Sequence, residues 1–211
     1  MQQRCKVYAI YYTFPKAVSK LDYGDNFLLR VINGTTSLFK DNKDFSRFKG
    51  FTLVYHKTIY KQIKEDYNSR MERAGYNLSI IDSIDIKDEP ASRLFIMSNA
   101  IEQICLALLI LYWEFKPAYY SLPYLMHLCS HFTDLPKTIF PNNTFNSQRI
   151  FYILCNARHF IRFKSRNEYS GQEVDKCYTS CERFYEEVQK LGSAYLKDIR
   201  KVHYNMPLLS K

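Results

Sequence analysis

The chain is short of glycine and proline, with 6 and 7 in 211 residues. So few breakers favour long helices and argue against a turn-rich β-sandwich. Its six cysteines, Cys5, Cys105, Cys129, Cys155, Cys177 and Cys181, include no C-x-x-C pair. Most sit in apolar helical patterns and read as buried thiols of a reducing compartment, not as disulfides or zinc ligands. Cys177 and Cys181 are one helical turn apart and read as two core thiols. There is no G-x-x-x-x-G-K-S/T and no G-x-G-x-x-G, hence no glycine-rich phosphate cradle. H-E-x-x-H and G-x-S-x-G are also missing. No signal peptide is visible, because MQQRCKVYAIYYTF is polar and lacks a small-residue cleavage site. The most apolar run, from Ile104 to Trp113, is about half the length that a membrane span needs. The expectation is a soluble, cytoplasmic protein without a membrane partner.

What is present is a globular composition, 46% apolar and 24% charged. The length suffices for a hydrophobic core without staples. Aromatics are frequent, with 18 Tyr and 15 Phe, and many Tyr belong at half-buried helix edges or an interface. The net charge of +9 helps a protein approach a polyanion, of which nucleic acid is the common one. The five histidines, His56, His127, His131, His159 and His203, are dispersed. His127 and His131 have the i, i+4 spacing of a metal pair, but no carboxylate pair is placed to complete it. No metal and no cofactor are expected.

Along the chain, KVYAIYYT at 6–13 reads as a strand, 14–21 as a short helix, 26–34 as another, and TTSLFKD at 35–41 as a second strand. A polar linker follows at 41–50. From Phe51 the pattern turns helical to about Ala74, with 75–90 as a connection. Residues 91–115 form the clearest helix, with Leu94, Met97, Ile101, Cys105, Leu108 and Tyr112 at helical spacing. Lys116-Pro117 ends it. A shorter helix covers 122–132, a loop 134–148 and a further helix 149–166. The last helix begins near Gln172. Its stripe Val174, Cys177, Cys181, Phe184, Val188, Leu191, Tyr195 is a bundle seam without chemistry of its own. The tail from about 200 reads as basic and loose. The fold class is mainly α: an up-and-down bundle of about five helices at 46–211, preceded by a short α/β segment at 1–45.

The candidate site is ARHFIRFKSRNEY at 157–169. Arg158, Arg162, Lys164 and Arg166 put four cations in nine residues with no acid among them. On their own they describe a solvated basic helix end, suited to the helix dipole. The order of segments adds a second reading. SNAIEQICLALLILYWEFKP at 98–117, LPYLMHL at 122–128, FP at 140–141 and FYILCNARHFIRF at 151–163 follow one another as in the HEPN family of helical bundles. The resemblance covers about 52–198. That family's signature is an Arg, four to six residues, then a His, often with a Tyr two positions beyond. Here Arg162 is followed by four residues and then Asn167, Glu168 and Tyr169. The Arg and Tyr positions match and the His position does not. KVYAIYYTF and NFLLRVINGTTSLFKD resemble the end of a minimal nucleotidyltransferase, a domain often fused to or encoded beside HEPN domains. Nothing before Lys6 supplies its catalytic half.

The resemblance implies a homodimer that acts on RNA without metal, related to toxin–antitoxin or defence systems. The Arg would stabilise the phosphate and the His would move a proton. Asn167 does not titrate, although its amide can donate to a phosphoryl oxygen. Its presence implies retained RNA or nucleotide binding through Arg158, Arg162, Lys164 and Arg166, with weak or lost ribonuclease activity. His159, one turn before Phe163, is a candidate substitute. Tyr169 would be the family's modification target, receiving AMP from a separate nucleotidyltransferase partner. Two alternatives stand beside this expectation. One is an active metal-independent endoribonuclease toxin using Arg162, Asn167 and Tyr169. The other is a non-enzymatic interaction or mobile-element regulatory module.

Overall fold

A computed structural model describes residues 8–36, 45–83, 90–163 and 169–205. The protein is mainly helical, and it divides into two compact units, 1–56 and 57–211. Helices α1 (Phe14–Asp22) and α2 (Asn26–Gly34) lie in the first. Asp25 caps α2 by accepting from the Leu28 amide at 2.9 Å. Two asparagines on α2, seven residues apart and so two turns apart, then clamp the segment after a 3₁₀ turn at Ser46–Phe48. Asn33 accepts from the Gly50 amide and donates to the Phe51 carbonyl, both at 3.0 Å. Asn26 accepts from the Val54 amide at 2.7 Å and donates to its carbonyl at 2.9 Å. Each side chain stands in for a strand neighbour, satisfying backbone groups without a sheet.

Residues 8–13 precede α1 without forming a strand, and no strand occurs among the described residues. An apolar, β-branched run becomes a strand only when a neighbour takes its backbone hydrogen bonds. The other expected strand, at 35–41, lies outside the described residues from 37 onward.

The second unit contains α3 (Lys57–Ser83), α4 (Pro90–Trp113), α5 (Leu122–Cys129), α6 (Leu135–Ile139), α7 (Phe145–Cys155), α8 (Ala157–Phe163) and α9 (Gly171–Asn205). These exceed the five expected for two reasons. The presumed loop at 134–148 holds α6 and the start of α7, and the presumed helix 149–166 breaks at Asn156. There the Asn156 side chain donates to the Tyr152 carbonyl at 2.8 Å, ending α7, while its own carbonyl accepts from Phe160 to begin α8.

Helix α3 runs through the presumed connection at 75–83. Met71, Ala74, Leu78 and Ile81 are buried and continue one face at steps of three and four. Gly75 does not interrupt it, because α9 comes so close that a Cβ there would lie 2.7 Å from the Tyr185 hydroxyl. Paired residues give the helix directions. Arg70 meets Gln103, and Lys116 meets Asp66, so α3 and α4 are antiparallel. Tyr60 meets Tyr204, and Tyr67 meets Val188, so α3 and α9 are antiparallel too. Arg93 meets Asp175, and Tyr112 stacks on Tyr195 at 4.2 Å, so α4 and α9 run the same way.

Helix α4 is the core. Leu94, Met97, Ile101, Ile104, Leu108 and Leu109 are all fully buried. By length and composition it could cross a membrane, but 72% of its most apolar window is buried inside the fold, as in the central helix of a soluble bundle. It stops at Trp113, where Glu114 takes a left-handed φ of 56°. The Phe115 and Glu114 amides then bond the Leu109 and Ile110 carbonyls, three residues ahead of Pro117. On α9 the stripe holds from Val174 to Val188 and then shifts to Gly192, Leu196 and His203, leaving Leu191 and Tyr195 half-buried. A strict seven-residue repeat drifts by about 20° per heptad on a straight helix, so the buried face moves on by one position.

Candidate nucleic-acid interface

Helix α8 carries the described part of the basic segment. Ala157 and Phe160 face inward, while Arg158, His159, Ile161, Arg162 and Phe163 are exposed. Arg158 and Arg162 are four residues apart and share a face. They differ in how they are held. The Arg158 Nη2 donates to Glu102 Oε2 at 2.8 Å and to Asn99 Oδ1 at 2.9 Å, both on α4. Both bonds use one nitrogen of a side chain that is half exposed. Arg162 has no ion-pair or hydrogen-bond partner among the described residues. The His159 ring lies 5.1 Å from Phe163. Tyr169 is buried at 7% exposure, with its ring 5.2 Å from Phe160. The remaining candidates, Lys164, Arg166 and Asn167, lie outside the described residues.

Immediately after this segment α9 begins with a capping box. The Ser170 amide donates to Glu173 at 2.8 Å, and the Glu173 amide donates back to the Ser170 hydroxyl at 3.3 Å. Arg149 of α7 also binds Glu173. The Ser170 amide and then the Arg149 guanidinium hold the Glu173 carboxyl below the ordinary range. Glu102 and Glu173 are thus both engaged by arginines of the bundle.

Sequence reasoning did not single out Asn99 and Glu102. The available signal was two polar residues three apart, Asn99 and Glu102, on a helix that is mostly apolar. Such residues persist in a core helix when a partner satisfies them. Burial raises the Glu102 carboxyl above its usual 4.5, and the Arg158 and Arg70 guanidiniums pull it back only in part. A folded-state value above the unfolded one means that folding favours the protonated acid. The stability this contributes is full below the unfolded value and is lost as pH rises through the folded one. The neutral isostere Glu102→Gln should therefore keep stability at pH 7 or raise it by up to about 1 kcal/mol, with a smaller gain near pH 4.5. Urea titrations at the two pH values check this. A loss above about 1 kcal/mol at pH 7 would mean that the half-exposed ion pair outweighs the burial cost.

Elsewhere, the His127 and His131 rings sit 5.0 Å apart, but no set of three or more His, Cys, Asp or Glu residues is arranged to hold a metal among the described residues. Cys105, Cys129, Cys177 and Cys181 are buried free thiols, Cys155 is half-buried, and Cys5 lies outside the described residues. Burial pushes Cys105 and Cys181 up, which suppresses the thiolate needed for nucleophilic or metal chemistry.

No family model matches the chain, and no curated protein matches it.

Proposed function

We propose that the chain is a HEPN-like helical protein that binds RNA through the α8 end of the bundle, with weak or lost ribonuclease activity. One observation carries the reading. Arg158 is fixed by Glu102 and Asn99 while half exposed, one turn from an Arg162 that has no partner among the described residues. A guanidinium held in place loses less entropy on meeting a phosphate than a free one. The resemblance of segment order to HEPN proteins supports a homodimer, the free thiols and polar start support a cytoplasmic setting, and the separate resemblance of KVYAIYYTF and NFLLRVINGTTSLFKD supports an N-terminal remnant of a nucleotidyltransferase. The His expected in the family's signature is Asn167, so the proton-transfer step has no titratable group at that position. Tyr169 as a site for AMP addition would require a ring now packed on Phe160 to move outward.

The test is equilibrium binding of single-stranded RNA and of tRNA across a salt series, with cleavage followed on the same samples. Arg158→Ala with Arg162→Ala should weaken binding and flatten the salt dependence. Each lost phosphate contact removes about 0.7 from the slope of log K against log salt for single strands. No cleavage is expected. Cleavage abolished by Arg162→Ala would establish the active endoribonuclease instead. No RNA binding at low salt would leave the interaction or regulatory module.

A further inference from the structure

A second basic site lies at the other end of α9. Lys61, Lys64 and Asn68 of α3, with Arg200 and Tyr204 of α9, line a cleft of about 380 Å³. The spacing of 61, 64 and 68 places these three on one stripe of α3. Tyr60 forms the floor. It is buried, and its ring meets Tyr204 edge-on at 5.7 Å. The Arg200 guanidinium lies 5.5 Å over the Tyr204 ring. Glu173 and Arg200 are 27 positions apart on one helix, which is roughly 40 Å at 1.5 Å per residue. This cleft is therefore separate from the α8 cations.

Some lysines of the second unit are matched by acids, Lys201 with Asp198, Lys190 with Glu187 and Lys116 with Asp66, and others such as Lys57 and Lys197 are not, among the described residues. Lys61, Lys64 and Arg200 have no acidic partner among the described residues, although Glu65 also lines the cleft. Three cations and one carboxylate leave a local sum of +2 around a concavity. Holding like charges together over low-dielectric aromatic walls is unfavourable until an anion arrives, and the same walls strengthen its attraction. The volume falls near the lower end for small-ligand sites. The Asn68 amide adds a neutral donor of the kind that accompanies phosphoryl recognition.

We propose that this cleft binds a pyrophosphate group, free or carried by an organic molecule. Two linked phosphoryl groups offer more anionic oxygens than a simple dianion to the three cations, Lys61, Lys64 and Arg200, that line the cleft. The tyrosine rings would accommodate an organic part, if the ligand has one.

The test is isothermal titration calorimetry of the full chain with inorganic pyrophosphate, with ADP as the organic pyrophosphate and with sulfate as a simple dianion at matched ionic strength. Saturable pyrophosphate binding is expected, weakened about 30-fold or more by Lys61→Ala with Lys64→Ala. Both lysines are exposed, so the double variant should keep its circular dichroism spectrum and melting temperature. Arg158→Ala with Arg162→Ala should leave the affinity unchanged, whether or not that variant has lost RNA binding. ADP binding tighter than inorganic pyrophosphate would assign an organic ligand, and equal or weaker binding the free anion. Three outcomes would overturn the proposal: no heat from pyrophosphate at millimolar concentration, equal binding of sulfate, or an affinity indifferent to the two lysines.

Discussion

Alanine at Gly192 should cost the protein about 2–4 kcal/mol of unfolding free energy, although it replaces glycine by a better helix former. Gly192 is buried on the face of α9 that meets α3. A Cβ built there falls 2.8 Å from Cε2 of Tyr67 and closer still to its Cζ and hydroxyl oxygen. The ring has nowhere cheap to go. Tyr67 is 3% exposed, and its hydroxyl donates to the Val188 carbonyl at 3.1 Å, one turn before the glycine. Burial, more than the neighbouring Tyr185 and Tyr112, pushes that hydroxyl up to about 12, so it remains a donor across the working range of pH. Moving the ring breaks this bond and leaves the buried Tyr67 hydroxyl unsatisfied, while the Val188 carbonyl keeps its helical bond, at about 1–3 kcal/mol beyond the overpacking itself. The propensity gain of up to about 1 kcal/mol does not offset the two together. In a thermal melt the variant should fall by roughly 5–15 °C. Pairing it with Tyr67→Leu should cost less than the sum of the single changes, because the smaller side chain vacates the space. Gly75→Ala is the internal comparison. Its Cβ would meet only the hydroxyl end of the half-buried Tyr185, which can swing away. A Gly192→Ala variant within about 0.5 kcal/mol of the parent would show that the α3–α9 seam has slack that this geometry denies.

That seam also shows where sequence reasoning reaches and where it stops. The α9 stripe was legible through Val188, because buried thiols, Phe184 and the valines repeat at helical spacing. It was lost where the buried face passes to a glycine, a residue that apolar periodicity does not count. Gly75 misled in the same way. Read alone it ends a helix, whereas here it lets two helices approach. The Asn156 break was hidden because an asparagine reads as polar filler until its side chain is seen on the Tyr152 carbonyl. At the candidate interface the cations were evident from charge alone. Their difference was not, since only the fold brings Glu102 and Asn99, more than fifty positions away, against Arg158. The cleft at Lys61, Lys64 and Arg200 left no mark in the sequence, because its walls come from the two ends of the second unit.

Phe184→Ala should lower the unfolding free energy by about 3–5 kcal/mol and loosen the candidate interface from behind. Phe184 is fully buried on α9, with its ring edge-on to Phe140 at 5.8 Å. Phe140 meets Phe151 of α7 at the same 5.8 Å. This aromatic chain seats α7 and the end of α6 on α9. Truncation leaves a cavity that the neighbouring rings fill only in part, and it removes a ring pair worth about 0.5–1.5 kcal/mol beyond its area. Helix α7 joins α8 at the Asn156 junction and, together with α4, positions Arg158 and Arg162. The loss should accordingly be uneven. Amide exchange should speed up most in α7 and α8, which the Phe184–Phe140–Phe151 chain ties to α9, and least in the α3–α4 pair. Phe184→Leu keeps most of the volume and should cost about 1–1.5 kcal/mol with little change in that exchange pattern. Urea denaturation gives the first quantity, and residue-resolved hydrogen exchange gives the second. Uniform acceleration across all helices would mean that the second unit opens as one cooperative body. The basic face of α8 would then be as firmly held as the core helix on which it rests.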